Sequence, residues 1–152
     1  MGVEIERKFI VNKNQWFNLK KNLHGIPIKQ GYLLNSKEKT VRIRIKGEKA
    51  YLGVKGPELN GQRTEYEYEI PFEEGNEMLQ KFCPIFISKI RYEYEFESHL
   101  FEIDEFIYPN EGLILAEVEL MNIDEEVIIP PWIDSDVTGN PDFYNSNMIA
   151  SL

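Results

Sequence analysis

The chain has 152 residues, Lys+Arg 17 against Asp+Glu 26, a formal net charge of -9 and 42% hydrophobic residues. That is the length of one domain, and a chain of this size buries roughly 68–70% of its extended surface, enough for a core without disulfides or a structural metal. The deficit of positive charge argues against a protein that coats the phosphates of nucleic acid or an acidic membrane surface, since such binding neutralises many phosphates at once.

Cys83 is the single cysteine, so no internal disulfide is expected. Neither a leader pattern nor an apolar run long enough to span a bilayer is visible, so a cytoplasmic protein is expected. His24 and His99 are the two histidines, too few with one cysteine for a zinc site or a nucleophile-histidine arrangement. Chemistry must therefore come from carboxylates, lysines, arginines and hard metal ions.

Taken in order, VEIERKFIV from Val3 alternates strictly and predicts a strand. Residues 14–23, with Trp16, Leu19 and Leu23 at helical spacing and Gly25 beyond, predict a first helix. Strands follow at KQGYLL from Lys29, VRIRI from Val41, AYLGVK from Ala50 and RTEYEYEI from Arg63. A second helix is expected over residues 73–82, stopped by Pro84. ISKIRYEYEF from Ile87, LFEIDEF from Leu100 and LILAEVEL from Leu113 complete eight strands. Pro130 and Pro131 before Trp132 predict an extended segment draped over the sheet, and residues 145–152 a terminal helix. The links are short, which favours antiparallel neighbours, and a closed barrel would remove exposed edges. The expected fold is mainly β (α+β): one domain over residues 1–152, an eight-stranded antiparallel closed β-barrel with a few helices packed outside.

Residues i and i+2 of a strand share a face. This parity puts Glu4, Glu6 and Lys8 opposite Ile5 and Phe9, and Arg42, Arg44 and Lys46 opposite Val41, Ile43 and Ile45. It likewise separates Arg63, Glu65 and Glu67 from Tyr66 and Tyr68, Lys89 and Arg91 from Ile90 and Tyr92, Glu102 and Asp104 from Phe101 and Ile103, and Glu117 and Glu119 from Ala116 and Val118. A charged face of this kind is often simply solvated. Here, however, the charges are sorted by strand, and helices packed on the apolar faces would turn the charged face inward. Carboxylates two residues apart suit hard divalent cations, while arginines and lysines on facing strands suit a compact polyanion. Together they describe a metal-dependent site for a chain of phosphates.

EIERK at Glu4 to Lys8, QGY from Gln30, VRIR from Val41, Lys55–Gly56, RTEYEYEIP from Arg63, KIRY from Lys89, EID from Glu102, GLILAEVEL from Gly112, and the PPW, VTG and YNS stretches resemble, in that order, the CYTH domain, or triphosphate tunnel metalloenzyme, family. The pattern is most similar to its short bacterial members, several of them inorganic tripolyphosphatases; relatives include thiamine and RNA triphosphatases and class IV adenylate cyclases. The resemblance implies an eight-stranded tunnel, a divalent metal (Mg²⁺ or Mn²⁺), a small polyphosphate or triphosphate substrate, and a monomer or homodimer without nucleic-acid or membrane partners. It implies metal ligation by Glu4, Glu6, Glu117 and Glu119, and phosphate contacts from Lys8, Arg42, Arg44, Lys55, Lys89 and Arg91. Arg63, Glu65, Glu67 and Asp104 would shape the tunnel as supporting partners or as ligands. Glu4, Glu6, Lys8 and Lys89 would carry the catalysis, with Lys89 assisting the leaving group and Tyr32 either touching phosphate or orienting Lys89. Two positions depart from the family pattern: Asp136 stands where Glu is frequent, which puts a tunnel-mouth contact in doubt, and Phe101 where Trp is common, a packing change.

The expected activity is metal-dependent hydrolysis of tripolyphosphate to pyrophosphate and phosphate. The alternatives on the same scaffold are an adenylate cyclase or a thiamine or nucleoside triphosphatase. A non-catalytic polyphosphate-binding module would bind without turnover, and a lipocalin-like carrier would need an apolar interior.

Overall fold

The computed structural model describes residues 2–150. Ten strands form one sheet: β1 (Val3–Glu4), β2 (Glu6–Val11), β3 (Ile26–Asn35), β4 (Thr40–Lys46), β5 (Lys49–Leu59), β6 (Gln62–Ile70), β7 (Phe86–Phe96), β8 (His99–Tyr108), β9 (Ile114–Glu119) and β10 (Ile133–Asp136). Their order is β1-β6-β5-β4-β3-β7-β8-β9-β2-β10 and every pair is antiparallel. Three helices accompany them, α1 (Lys13–Leu19), α2 (Phe72–Phe82) and α3 (Asn145–Ala150). The last two residues of the expected terminal helix lie outside the described residues.

Eight strands become ten for two local reasons. The first predicted strand breaks at Ile5, so that β1 pairs with β6 while β2 pairs with β9. The break leaves the Ile5 carbonyl accepting the Leu120 N–H at 2.8 Å. The segment after Trp132 adds β10 alongside β2. The hydrogen-bonded ladder therefore does not close on itself, and the two halves of one chain segment meet its opposite ends instead.

Parity then separates two environments. On the outer face Phe9, Phe101, Ile103, Ala116 and Val118 form a core with Trp16 of α1 and Trp132. Trp16 stacks edge-on against Tyr92 at 5.0 Å, and Phe101 against Trp132 at 5.5 Å, so the Phe at position 101 is a packing residue as expected. Asn12 caps α1 by accepting the Gln15 N–H at 3.0 Å, and its own N–H reaches the Trp132 carbonyl at 2.8 Å, which fastens the draped segment. On another stretch of the outer face α2 packs Leu79 and Cys83 on Ile43. It comes close because Gly31 has no side chain: a Cβ there would lie 2.5 Å from that of Cys83.

The inward face is charged for most of its length and apolar at one end. Ile10 lies two residues from Lys8, Ile87 from Lys89, Phe106 from Asp104 and Leu115 from Glu117, and these apolar residues pack with Phe143, Met148 and Ile149 of the C-terminal segment. The fold is thus a tunnel with one plugged end.

Candidate functional site

The open part of the tunnel is a cavity of about 840 Å³ walled by Glu4, Glu6, Arg42, Arg44, Lys55 and Glu117 among others. The same six residues also line a narrow inner chamber of about 70 Å³. That chamber adds Lys8, Tyr32, Arg63 and Lys89, and Tyr144, Asn145 and Ser146 close it. Strand pairing accounts for this convergence. Glu6 sits opposite Glu119 and Lys8 opposite Glu117, Glu102 opposite Glu117, Lys55 opposite Glu65, Glu4 opposite Arg63, and Tyr32 opposite Arg42.

The deepest cations, Lys89 and Arg91, meet at Asp104, and Arg91 also donates to Glu102 at 3.3 Å. Asp104 accepts two bonds from Arg91, 2.7 Å from Nε and 2.8 Å from Nη2, and a third contact from Lys89 Nζ at 2.7 Å. Despite its burial, the Asp104 carboxyl is held far below the ordinary range by Arg91 and then Lys89. Arg91 is the better partner, because its planar fork matches both oxygens. Lys89 is therefore a surplus cation. Burial pulls its ammonium down to about 7 against the opposing pull of Asp104, and Arg91 and Arg44 add to the depression. Arg44, lowered to about 10 by burial and by Arg42 and Arg91, has a neutral hydrogen-bond partner, Gln30 Oε1 at 3.1 Å. The carboxylate paired with Arg44, Glu67, lies at 3.9 Å.

Toward the opening the carboxylates pair with each other. Burial raises Glu6 well above the usual range, assisted by Glu117 and Glu4, while Glu117 is held well below it by Lys8, Arg91 and Lys89 in spite of burial. The two carboxyls act on each other in opposite senses, Glu6 toward the protonated form and Glu117 toward the charged one. Glu65 and Glu4 form a second such pair. Glu65 is raised to about 7 by burial and its bond to Glu4, whereas Glu4 overcomes its own burial through the Glu65 bond and Lys55. Glu119 is raised by burial, Glu4 and Glu102.

The remaining cations are shared out among acids. Lys55 Nζ lies 3.3 Å from Glu4 and 3.8 Å from Glu65. Arg42 lies 3.0 Å from Glu67 and 3.8 Å from Glu65. Lys8 lies 3.6 Å from Glu117 and donates to the Phe143 carbonyl at 2.9 Å. Arg63 stacks over the Tyr144 ring at 5.2 Å.

Of the residues picked out from the sequence, Glu4, Glu6, Lys8, Tyr32, Arg42, Arg44, Lys55, Arg63, Glu65, Glu67, Lys89, Arg91, Glu117 and Glu119 all line the tunnel. Asp104 lies behind the wall, buried beneath Lys89 and Arg91. Asp136 lies apart from it, bonded to the outward-facing Arg7 at 2.8 Å and to the Thr138 N–H at 2.8 Å. The shorter acid at position 136 therefore holds β10 to β2 and makes no tunnel-mouth contact. Sequence reasoning gave no role to Gln30 or Asn145. Gln30 is a polar residue on the inward face of β3, which parity exposes, whereas Asn145 lies in a segment with no periodic pattern.

Among the described residues no three His, Cys, Asp or Glu side chains gather into a ready-made cation site. The donor set nevertheless fits a hard divalent ion. It offers carboxylate oxygens in two pairs with Glu119 adjacent, and an ion such as Mg²⁺ is commonly held by one or two carboxylates plus substrate phosphates and water.

A tunnel of antiparallel strands, walled by carboxylates toward the mouth and by buried lysines and arginines at depth, has the charge layout of a binder of compact polyanions. The chain belongs to the CYTH domain family, which matches residues 2–137. It is 45% identical to an inorganic triphosphatase of Acetivibrio thermocellus, over 99% of this chain and 96% of the relative. It is 30% identical to an inorganic triphosphatase of Nitrosomonas europaea, over 98% of both. Among solved structures, that of an inorganic triphosphatase superposes with a TM-score of 0.70 at 29% identity, covering 100% of this chain and 97% of the other. A Hippeastrum protein, described as a putative adenylyl cyclase with dominant triphosphatase activity, shares the fold at a TM-score of 0.61 and 19% identity, over 80% of each chain.

Proposed function

We propose that this protein is a divalent-metal-dependent inorganic triphosphatase that cleaves tripolyphosphate to pyrophosphate and phosphate. The observation that carries the reading is the gathering of buried cations at the inner chamber: Lys89 shares Asp104 with Arg91, Arg44 hydrogen-bonds neutral Gln30 with Glu67 at 3.9 Å, and Arg63 Nε is buried without a hydrogen-bond partner. Such a cluster is costly until an anion completes it. The two inorganic triphosphatases related to this chain, at 45% and 30% identity over nearly its whole length, support the same substrate class.

Glu4, Glu6, Glu117 and Glu119 would hold Mg²⁺ or Mn²⁺, with Glu65 releasing the proton it shares with Glu4. A bound divalent ion supplies neutralisation of the phosphate oxygens. The protein's own cations do the positioning. Arg42, Arg44 and Arg91 grip phosphate oxygens, Lys8 and Lys55 add point charge, and Arg63 lies at the inner chamber. Water attacks the terminal phosphorus in line as the P–O bond to pyrophosphate breaks; Lys89 Nζ, poised near neutrality, gives its proton to the oxygen that leaves, and the proton lost by the attacking water passes to solvent. Asp104 and Glu67 act through the cations they hold, Lys89 and Arg91 for the first and Arg42 for the second. Tyr32 contributes its hydroxyl at the chamber wall.

Glu4→Gln and Lys89→Ala should each lower phosphate release from tripolyphosphate by at least about a hundredfold, as loss of one transition-state contact of about 3 kcal/mol implies. Circular dichroism should show the fold retained. Full turnover in either folded variant would overturn the assignment of these residues.

A further inference from the structure

Gln30 is completely buried in the tunnel wall, and its two ends face groups of fixed polarity. It stands directly opposite Arg44 on β4 and two residues from Tyr32 on the same face of β3. Arg44 Nε contacts the Gln30 side chain at 3.1 Å, and a guanidinium has N–H donors alone, so the Gln30 oxygen must face it. The Gln30 amide nitrogen then points the other way, 3.3 Å from the Tyr32 hydroxyl oxygen and 3.4 Å from Asn145 Oδ1. The Asn145 orientation is fixed independently. Lys89 Nζ, a donor alone in its ammonium form, contacts the same Oδ1 at 2.8 Å.

One consequence concerns Tyr32. Its oxygen accepts from Gln30, so its own proton is turned away from Gln30, and Tyr32, Arg44 and Lys89 line the same inner chamber. We infer that Gln30 is a positioning residue that sets the direction of hydrogen bonding, leaving the Tyr32 hydroxyl as a donor toward the bound anion. The inference deepens the triphosphatase reading and rests on it for the choice of ligand. A carboxylate at position 30 has nearly the same shape and still accepts from Arg44, but it takes the Tyr32 proton for itself and donates nothing to Asn145.

The test is a double-mutant cycle read in tripolyphosphate affinity by calorimetry with Mg²⁺, and in kcat and KM. Gln30→Glu is compared in the wild-type and in the Tyr32→Phe background. The added negative charge weakens binding in both backgrounds, whereas the lost hydroxyl donation is felt only where Tyr32 is present. The expected result is a cost at least about tenfold greater with Tyr32 than with Phe, the size of one hydrogen bond to a charged group. Equal costs in the two backgrounds overturn the inference. Should Gln30→Glu not fold, as judged by its melting transition, Tyr32→Phe alone is compared with wild type: a loss of tripolyphosphate affinity of at least about tenfold supports the donation and an unchanged affinity overturns it. Wild-type protein that binds tripolyphosphate normally while the costs are equal refutes only the role of Gln30. Wild-type protein that neither binds nor cleaves it refutes the functional reading as well.

Discussion

Lys89 and Glu65 both titrate near neutrality, from opposite directions. Burial keeps the Glu65 carboxyl protonated up to about 7, and burial strips the Lys89 ammonium at about 7. Between the ordinary carboxyl value of 4.5 and 7, the folded chain holds a proton on Glu65 that the unfolded chain has lost, so this group's stability contribution falls as pH rises through that window. Between 7 and the ordinary lysine value of 10.5, the unfolded chain holds a proton that folded Lys89 has lost, so stability rises with pH. Urea unfolding of the metal-free protein should show both slopes. Relative to wild type, Glu65→Gln should remove part of the fall and Lys89→Met part of the rise; variants with unchanged slopes would refute the assignment. Parity in the sequence exposed the charged wall residue by residue. It did not show who holds whom: that Asp104 is spent on Arg91 and Lys89, or that Glu4 and Glu6 take Glu65 and Glu117 as partners, depends on strand register, which no single strand encodes.

Among the elements, α2 lies against the back of the strands that build the inner chamber. Gly31, between Gln30 and Tyr32, faces Cys83 and Leu79 of this helix region, and a methyl there would lie 2.5 Å from Cys83 Cβ and 3.0 Å from Leu79 Cδ1. Gly31→Ala should therefore push α2 outward and cost about 1–3 kcal/mol, the range for overpacking a core. Chemical denaturation measures this directly, and an unchanged midpoint would contradict the packing described. Strong alternation made eight strands legible, helical spacing around Trp16 marked α1, and the stop at Pro84 bounded α2. The break at Ile5 was hidden because both halves continue one alternating pattern while pairing with different strands. β10 was read as a draped segment because four residues after two prolines carry too little pattern to announce pairing. The plug was partly written in the sequence, since Ile10, Ile87, Phe106 and Leu115 interrupt the charged face at the same end. What they pack against, the segment from Phe143 to Ile149, had no periodic signal to join it to them.

At the scale of the whole molecule, the net charge of -9 coexists with a polyanion site because the charges are spatially sorted. Carboxylates gather toward the mouth, where divalent ions would offset them, and lysines and arginines gather around the inner chamber. No helix among the described residues is long and apolar enough to cross a membrane. The central claim is that this arrangement cleaves inorganic triphosphate. Phosphorus NMR of tripolyphosphate incubated with the purified protein and Mg²⁺ or Mn²⁺, with ATP followed in parallel, tests it most directly. One phosphate and one pyrophosphate per tripolyphosphate are expected, in a reaction abolished by chelator; intact tripolyphosphate, or cyclic AMP as the main product from ATP, would contradict the triphosphatase assignment.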